Sequence, residues 1–170
     1  TMQNNEVTRI KANDMIEGVV KAVNNNAKTI QVTTDSGTEI YDVSSNVTVY
    51  YYRSTSSRLS SVSVGDTVSM KLVNDEVTEI KVNEQVNMTV MDVYSNGNWI
   101  RLQDENGNRV SAYLDDVEVI VDGVHSSYAR DINVGDDVVA TFAGQTLTKL
   151  EVSATGGTRG EVTKVNTSTN

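Results

Sequence analysis

The sequence predicts an all-β protein: two tandem small β-barrels, OB-like or SH3-like, with strand fragments of neighbouring repeats at both ends. Three observations carry this expectation. Apolar residues alternate with a period of two rather than 3.6, the mark of half-buried strands. Turn-forming residues, above all Asn-Gly pairs, fall in the gaps between the alternating runs. The chain also superposes on itself without a gap when slid by 70 residues, 16–83 onto 86–153. Val20 falls on Val90, Ile30 on Ile100, Gly37 on Gly107, and Val64-Gly65-Asp66 on Val134-Gly135-Asp136. A valine-rich composition inflates chance matches, but it does not explain the matched glycines and aspartates.

Each element follows from the local pattern. The first strand of repeat one holds Val19, Val20 and Val23. The second runs near 29–33, matched by 99–103, with Ile30, Val32, Ile100 and Leu102 on one side and polar neighbours on the other. A third strand covers 39–43 and 109–113, and a fourth 47–51 and 117–121. Two more follow each Val-Gly-Asp corner, at 67–73 and 77–82, then 138–143 and 147–152. Asn96-Gly97 and Asn106-Gly107 are the strongest hairpin signals, while Ser36-Gly37, Asn74-Asp75 and Gly144-Gln145 serve equivalent positions less emphatically. Segments 54–63 and 124–133 lack alternation and predict a loop with one helical turn. Asp66 and Asp136 are expected to cap their corners through the local backbone.

Laid against this ruler, residues 1–14 read as the closing hairpin of a preceding repeat. Residues 15–84 are barrel repeat one and 85–154 barrel repeat two. Residues 155–170 are a linker and the first strand of a further repeat. The expectation is an excerpt from a longer array, the alternative being end strands that complete two self-contained barrels. The junction Asn83-Glu84-Gln85 is too short and too poor in glycine for a flexible linker.

Composition narrows the function classes. Hydrophobic residues at 38% are too many for a disordered chain. No apolar run approaches the roughly 18 residues of a membrane helix, so membrane insertion is not expected. A formal charge of −9 opposes nucleic acid, which normally meets a basic surface. Zero cysteines exclude disulfides, thiolate catalysis and cysteine-ligated metals.

Little points to chemistry. His125, the one histidine, sits beside Ser126 and Ser127, and repeat one has Thr55 in its place, so a solvated loop histidine is expected rather than a catalytic one. The acidic pairs Asp104-Glu105, Asp115-Asp116 and Asp136-Asp137 show no spaced calcium or glycosidase motif and read as turn residues. If calcium binds, Asp115, Asp116, Asp136 and Asp137 are the place to look; no other cofactor is expected. Three Asn-X-Ser/Thr sequons, at Asn46, Asn87 and Asn166, fit coincidence in a chain this rich in these residues. Trp99 takes the outward phase of its strand where repeat one has Thr29, and Tyr50 and Tyr52 face away from Val47, Val49 and Tyr51. Such aromatics can stack on sugars or on bases, but packing of one barrel against the next or a partly buried surface is the expectation.

The pattern Gly18-Val19-Val20-Lys21-Ala22-Val23, Thr29-Ile30-Gln31-Val32, Leu59 to Asp66 and Glu76-Val77-Thr78-Glu79-Ile80 resembles tandem β-barrel repeats of Gram-positive and related bacterial surface proteins, often found beside S-layer-homology anchoring modules. The resemblance covers nearly the whole chain, with Asp131 to Asp136 repeating its corner and Met88 replacing the glycine expected at the start of repeat two. It implies an extracellular, cell-wall location and a structural or spacer role, and it supplies no catalytic residues. The expected partners are neighbouring repeats, further copies of the chain or cell-wall polysaccharide. The alternative function is a carbohydrate-binding module that uses Trp99, Tyr50 and Tyr52.

Overall fold

The computed structural model describes residues 15–153. The expected closing hairpin at 1–14 and the further strand at 155–170 lie outside the described residues. Within them the protein is all-β: twelve strands joined by turns, with three short 3-10 turns at Leu59–Ser61, Ser95–Gly97 and Ala129–Asp131. Among the described residues, no helix is long and apolar enough to cross a membrane.

The strands are β1 Met15–Asn24, β2 Thr29–Thr34, β3 Gly37–Tyr50, β4 Thr55–Ser56, β5 Thr67–Val73, β6 Glu76–Tyr94, β7 Trp99–Asp104, β8 Arg109–Tyr113, β9 Glu118–Val121, β10 Val124–Ser126, β11 Asp137–Ala143 and β12 Thr146–Ser153. They form two compact units, which among the described residues are 15–86 with 140–149 and 87–139 with 150–153.

In the first unit, β1 pairs with β2 and β5, β2 with β3, and β5 with β6, all antiparallel. The ring closes where β3 runs parallel to β6. Five strands cannot alternate in direction all the way around, so a closed ring of five needs one parallel pair. Its interior holds Val20, Ile30, Val32, Val49, Val68, Met70, Val77 and Ile80, all withdrawn from water. Burial of such a core is the main driving force that offsets chain entropy. The expected third and fourth strands are here a single strand, β3, bent where its register against β6 shifts between Val43 and Thr48.

In the second unit the corresponding stretch is broken. β8 ends at Tyr113, residues 114–117 turn, and β9 begins at Glu118. β7 pairs with β6 and β8, while β9 pairs with β10 and β12. The core here is Met88, Val90, Ile100, Leu102, Leu114, Val119, Ile132, Val138, Leu150 and Val152.

The Val-Gly-Asp corners make the same bonds 70 residues apart. Val20 N–H donates to Asp66 O and Gly65 N–H to Val20 O, at 2.9 Å each. Val90 N–H donates to Asp136 O at 2.9 Å and Gly135 N–H to Val90 O at 2.8 Å. The Asp66 carboxylate accepts from Ser63 N–H at 2.9 Å, as Asp136 does from Asn133 N–H at 2.8 Å. The aspartates thus satisfy a backbone donor in the turn that precedes them.

The compact units do not follow the sequence repeat throughout. β6 runs unbroken through Asn83-Glu84-Gln85, its first part pairing with β5 and its second with β7. Residues 140–149, the heart of the last hairpin, cluster with the first unit. There Phe142 is fully buried with its ring 4.4 Å from that of Tyr52, and Gly144 N–H donates to Val82 O. Gly144 adopts φ +59°, and a Cβ in its place would come within 2.8 Å of Tyr50 Cβ, so only glycine lets this tip close.

Candidate functional site

The outward face of β6, β7 and β8 in the second unit gathers aromatic residues from three adjacent strands. The register sets Tyr94 opposite Trp99, and Trp99 opposite Tyr113. One step along, Asp92 lies opposite Arg101, and Arg101 opposite Ser111. An aromatic row therefore runs beside a polar one. Beneath them Ile100 and Leu102 point into the core, which fixes the phase of β7.

Two local irregularities build this face. Between Val90 and Asp92 the β6–β7 register shifts, so Met91 is an extra residue and the phase of β6 inverts beyond it. Asp92 and Tyr94 thereby join Arg101 and Trp99 outside while Val90 stays inside. The second irregularity is the β7–β8 turn. In the first unit Thr34 pairs with Gly37 around a two-residue turn. In the second the last pair is Gln103 with Arg109, and Asp104 to Asn108 form a longer loop. Asp104 is buried and its carboxylate accepts from Asn106 N–H, Asn108 N–H and the Asn108 amide, at 3.0, 2.8 and 2.8 Å. Gly107 takes φ +81°. Counted from the matching pair Thr33 with Thr38, this loop is one residue longer than in the first unit, which slips β8 by one relative to β3, and a one-residue slip turns every side chain over. Val43 is accordingly buried, whereas the residue aligned with it, Tyr113, is 69% exposed.

The aromatic row is ordered. Tyr94 and Trp99 stack with ring centres 3.8 Å apart and planes within 8°. The Arg101 guanidinium lies 5.7 Å from the indole centre and is drawn toward β6 by an ion pair with Asp92 at 2.9 Å. At the end of the row, Asn98 takes a left-handed conformation, φ 46°. Its side-chain oxygen accepts from Ala129 N–H at 2.8 Å, and its amide donates to Asp115 Oδ1 at 2.7 Å and Ser127 O at 3.2 Å. Its own carbonyl accepts from Leu114 N–H. The Asn96-Gly97 signal thus marks a real turn but not the expected two-residue one. The positive φ falls on Asn98, whose side chain ties that turn to the 127–129 loop. Mirror-image two-residue turns occur instead at Asn74-Asp75 and Asp122-Gly123, where both residues have positive φ.

Of the aromatic residues singled out from sequence, only Trp99 lies on this face. Tyr52 is half-buried against Phe142, and Tyr50 sits beneath Gly144. Sequence reasoning missed Tyr94 and Tyr113. Tyr94 could have been found by pairing across the Asn96-Gly97 turn, whereas Tyr113 depends on the loop length at 104–108.

Among the described residues, no three histidine, aspartate or glutamate side chains converge to hold a metal ion. Asp136 is buried in its corner and Asp115 is bonded to Asn98, while Asp116 and Asp137 are exposed. His125 Nδ1 lies 3.7 Å from Glu118 Oε1, with both side chains largely in water. The Ser126 hydroxyl donates to Asp131 rather than to the imidazole. A groove of about 400 Å³ is lined by Met88, Gln103, Asp104 and Asp137, but the Asp104 carboxylate in its wall is committed to the turn. Neither a protein-family model nor a curated protein matches this chain.

Proposed function

We propose that this chain is a non-catalytic structural segment of a bacterial cell-surface protein, in which two OB-like barrels follow one another in tandem. The parallel β3–β6 pairing favours an OB-like order over an SH3-like one, since a simple antiparallel meander supplies no parallel pair. The corner bonds repeated at a spacing of 70 residues support the tandem reading.

The observation that carries the structural role is the continuity of β6. Where one repeat gives way to the next, the chain remains a strand, with paired residues on both sides of Asn83-Glu84-Gln85. A segment built to carry load or hold distance needs a junction of this kind rather than a polar, glycine-rich joint.

Hydrogen exchange across β6 tests this directly. Amides at 83–87 protected within tenfold of those at 79–82 are expected, and exchange at the rate of an open loop would overturn the reading. The location is tested with an antibody raised against the folded chain. It should label intact cells of the source bacterium, and labelling only after lysis would remove the surface assignment.

A further inference from the structure

We infer that the face formed by Tyr94, Trp99, Tyr113, Asp92 and Arg101 is a binding site for a neutral oligosaccharide. This goes beyond the structural role, which would hold without it.

The first unit provides an internal comparison. There the register places Asn24, Thr29 and Asp42 in the row corresponding to Tyr94, Trp99 and Tyr113. It places Ala22, Gln31 and Ile40 in the row corresponding to Asp92, Arg101 and Ser111. A ring of strands closes on this plan without one outward aromatic residue in either row. Cross-strand aromatic pairs do stabilise sheets, which accounts for Tyr94 on Trp99. It does not account for Tyr113, which remains 69% exposed.

The exposed aromatic surface of the row lies at Tyr94 and Tyr113. Tyr94 stacks on one face of the indole, and Asp92 on β6 holds Arg101 in an ion pair. On β8 the residue directly opposite Trp99 is Tyr113. Three adjacent strands span roughly 10 Å, a width that takes two sugar rings with one of them over Tyr113. Pyranose rings present C–H groups to the negative face of an aromatic ring while their hydroxyls stay available at the rim. Beside the row, Asp92 supplies acceptors and Arg101 supplies fork-shaped donors, the polar pair that hydroxyl groups require.

Charge selects among ligands that stack. The ion pair makes the polar row neutral, within a chain of formal charge −9. An anionic polymer such as single-stranded DNA would meet repulsion with no basic groove to offset it. A neutral glycan meets no such penalty.

Trp99 is the only tryptophan, so its fluorescence reports on this face alone. The full chain is titrated separately with cellotriose, maltotriose, chitotriose and a short oligothymidine. A saturable change with at least one of the three sugars and none with oligothymidine is expected. In Tyr113→Ala, apparent affinity should fall at least tenfold while the urea midpoint stays at the wild-type value, because this side chain is mostly in solvent. Silence with all three sugars overturns the proposal, as does saturation by oligothymidine alone or wild-type affinity in the folded Tyr113→Ala variant.

Discussion

The side-chain oxygen of Asn98 accepts a hydrogen bond from the backbone N–H of Ala129 at 2.8 Å, across 31 residues of sequence. Ala129 is almost wholly buried, so this donor has no access to water if the partner is removed. Asn98 therefore holds the 127–129 loop to the turn that begins β7.

Asn98→Ala should cost about 1–3 kcal/mol, the usual penalty for an unsatisfied buried donor. Asn98→Gly loses the same bond but relieves the left-handed backbone, so it should be the milder of the two. Urea unfolding of both variants checks the order. Equal stability of all three proteins would show that the loop is held by other contacts.

Phe142 is fully buried and packs on Tyr52 in the first compact unit, although it lies in a hairpin expected to close the second repeat. Phe142→Ala should cost about 3–5 kcal/mol, the range for emptying a large aromatic site. Phe142→Leu should cost much less. The informative readout is residue-resolved hydrogen exchange: amides of β3 near Val49 and Tyr50 should lose protection as well as those of β11.

The slip between β8 and β3 rests on a single loop residue. Deleting Asn106 should impose the shorter turn and carry Tyr113 to the inward face while expelling Val110 and Ala112. Nitration of tyrosine followed by mass mapping measures this. Tyr113 should be modified readily in the parent and poorly in the deletion variant, or the variant should fail to fold. A folded variant with unchanged Tyr113 reactivity would show that burial of Leu114, rather than loop length, sets the register.

Tyr41 is a group whose ionisation the fold opposes. Burial, then the hydrogen bond to Glu39, then the charge of that carboxylate push its phenol from 10.0 up to about 12. The folded state therefore holds this proton more tightly than the unfolded chain. The linked stability is fully present below pH 10 and is lost as pH rises through about 12. Tyr41→Phe should flatten that alkaline decline, which unfolding experiments between these two pH values follow directly. A decline of equal slope in the variant would assign it to other groups.

Much of the architecture was legible because strands leave a period-two record and turns demand particular residues. The inward phase of Ile30, Val32, Ile100 and Leu102, the helical turns before each corner and the capping aspartates all follow from local chemistry. The expected repeat at 70 residues rests on the glycines and aspartates of those corners, whose backbone bonds match at that spacing. None of this required knowledge of which strand meets which.

Tertiary structure decided the rest. The ungapped alignment equates Tyr113 with Val43, yet one lies in water and the other in the core. The deciding feature is a carboxylate, Asp104, that gathers three donors and lengthens a turn by one residue. Likewise no local pattern assigns Phe142 to Tyr52 or closes β3 on β6 in parallel, because both contacts join distant segments. A side chain's phase along its own strand is local information. Its facing partner depends on register, and register is set by turn length and by what must be buried on the far side.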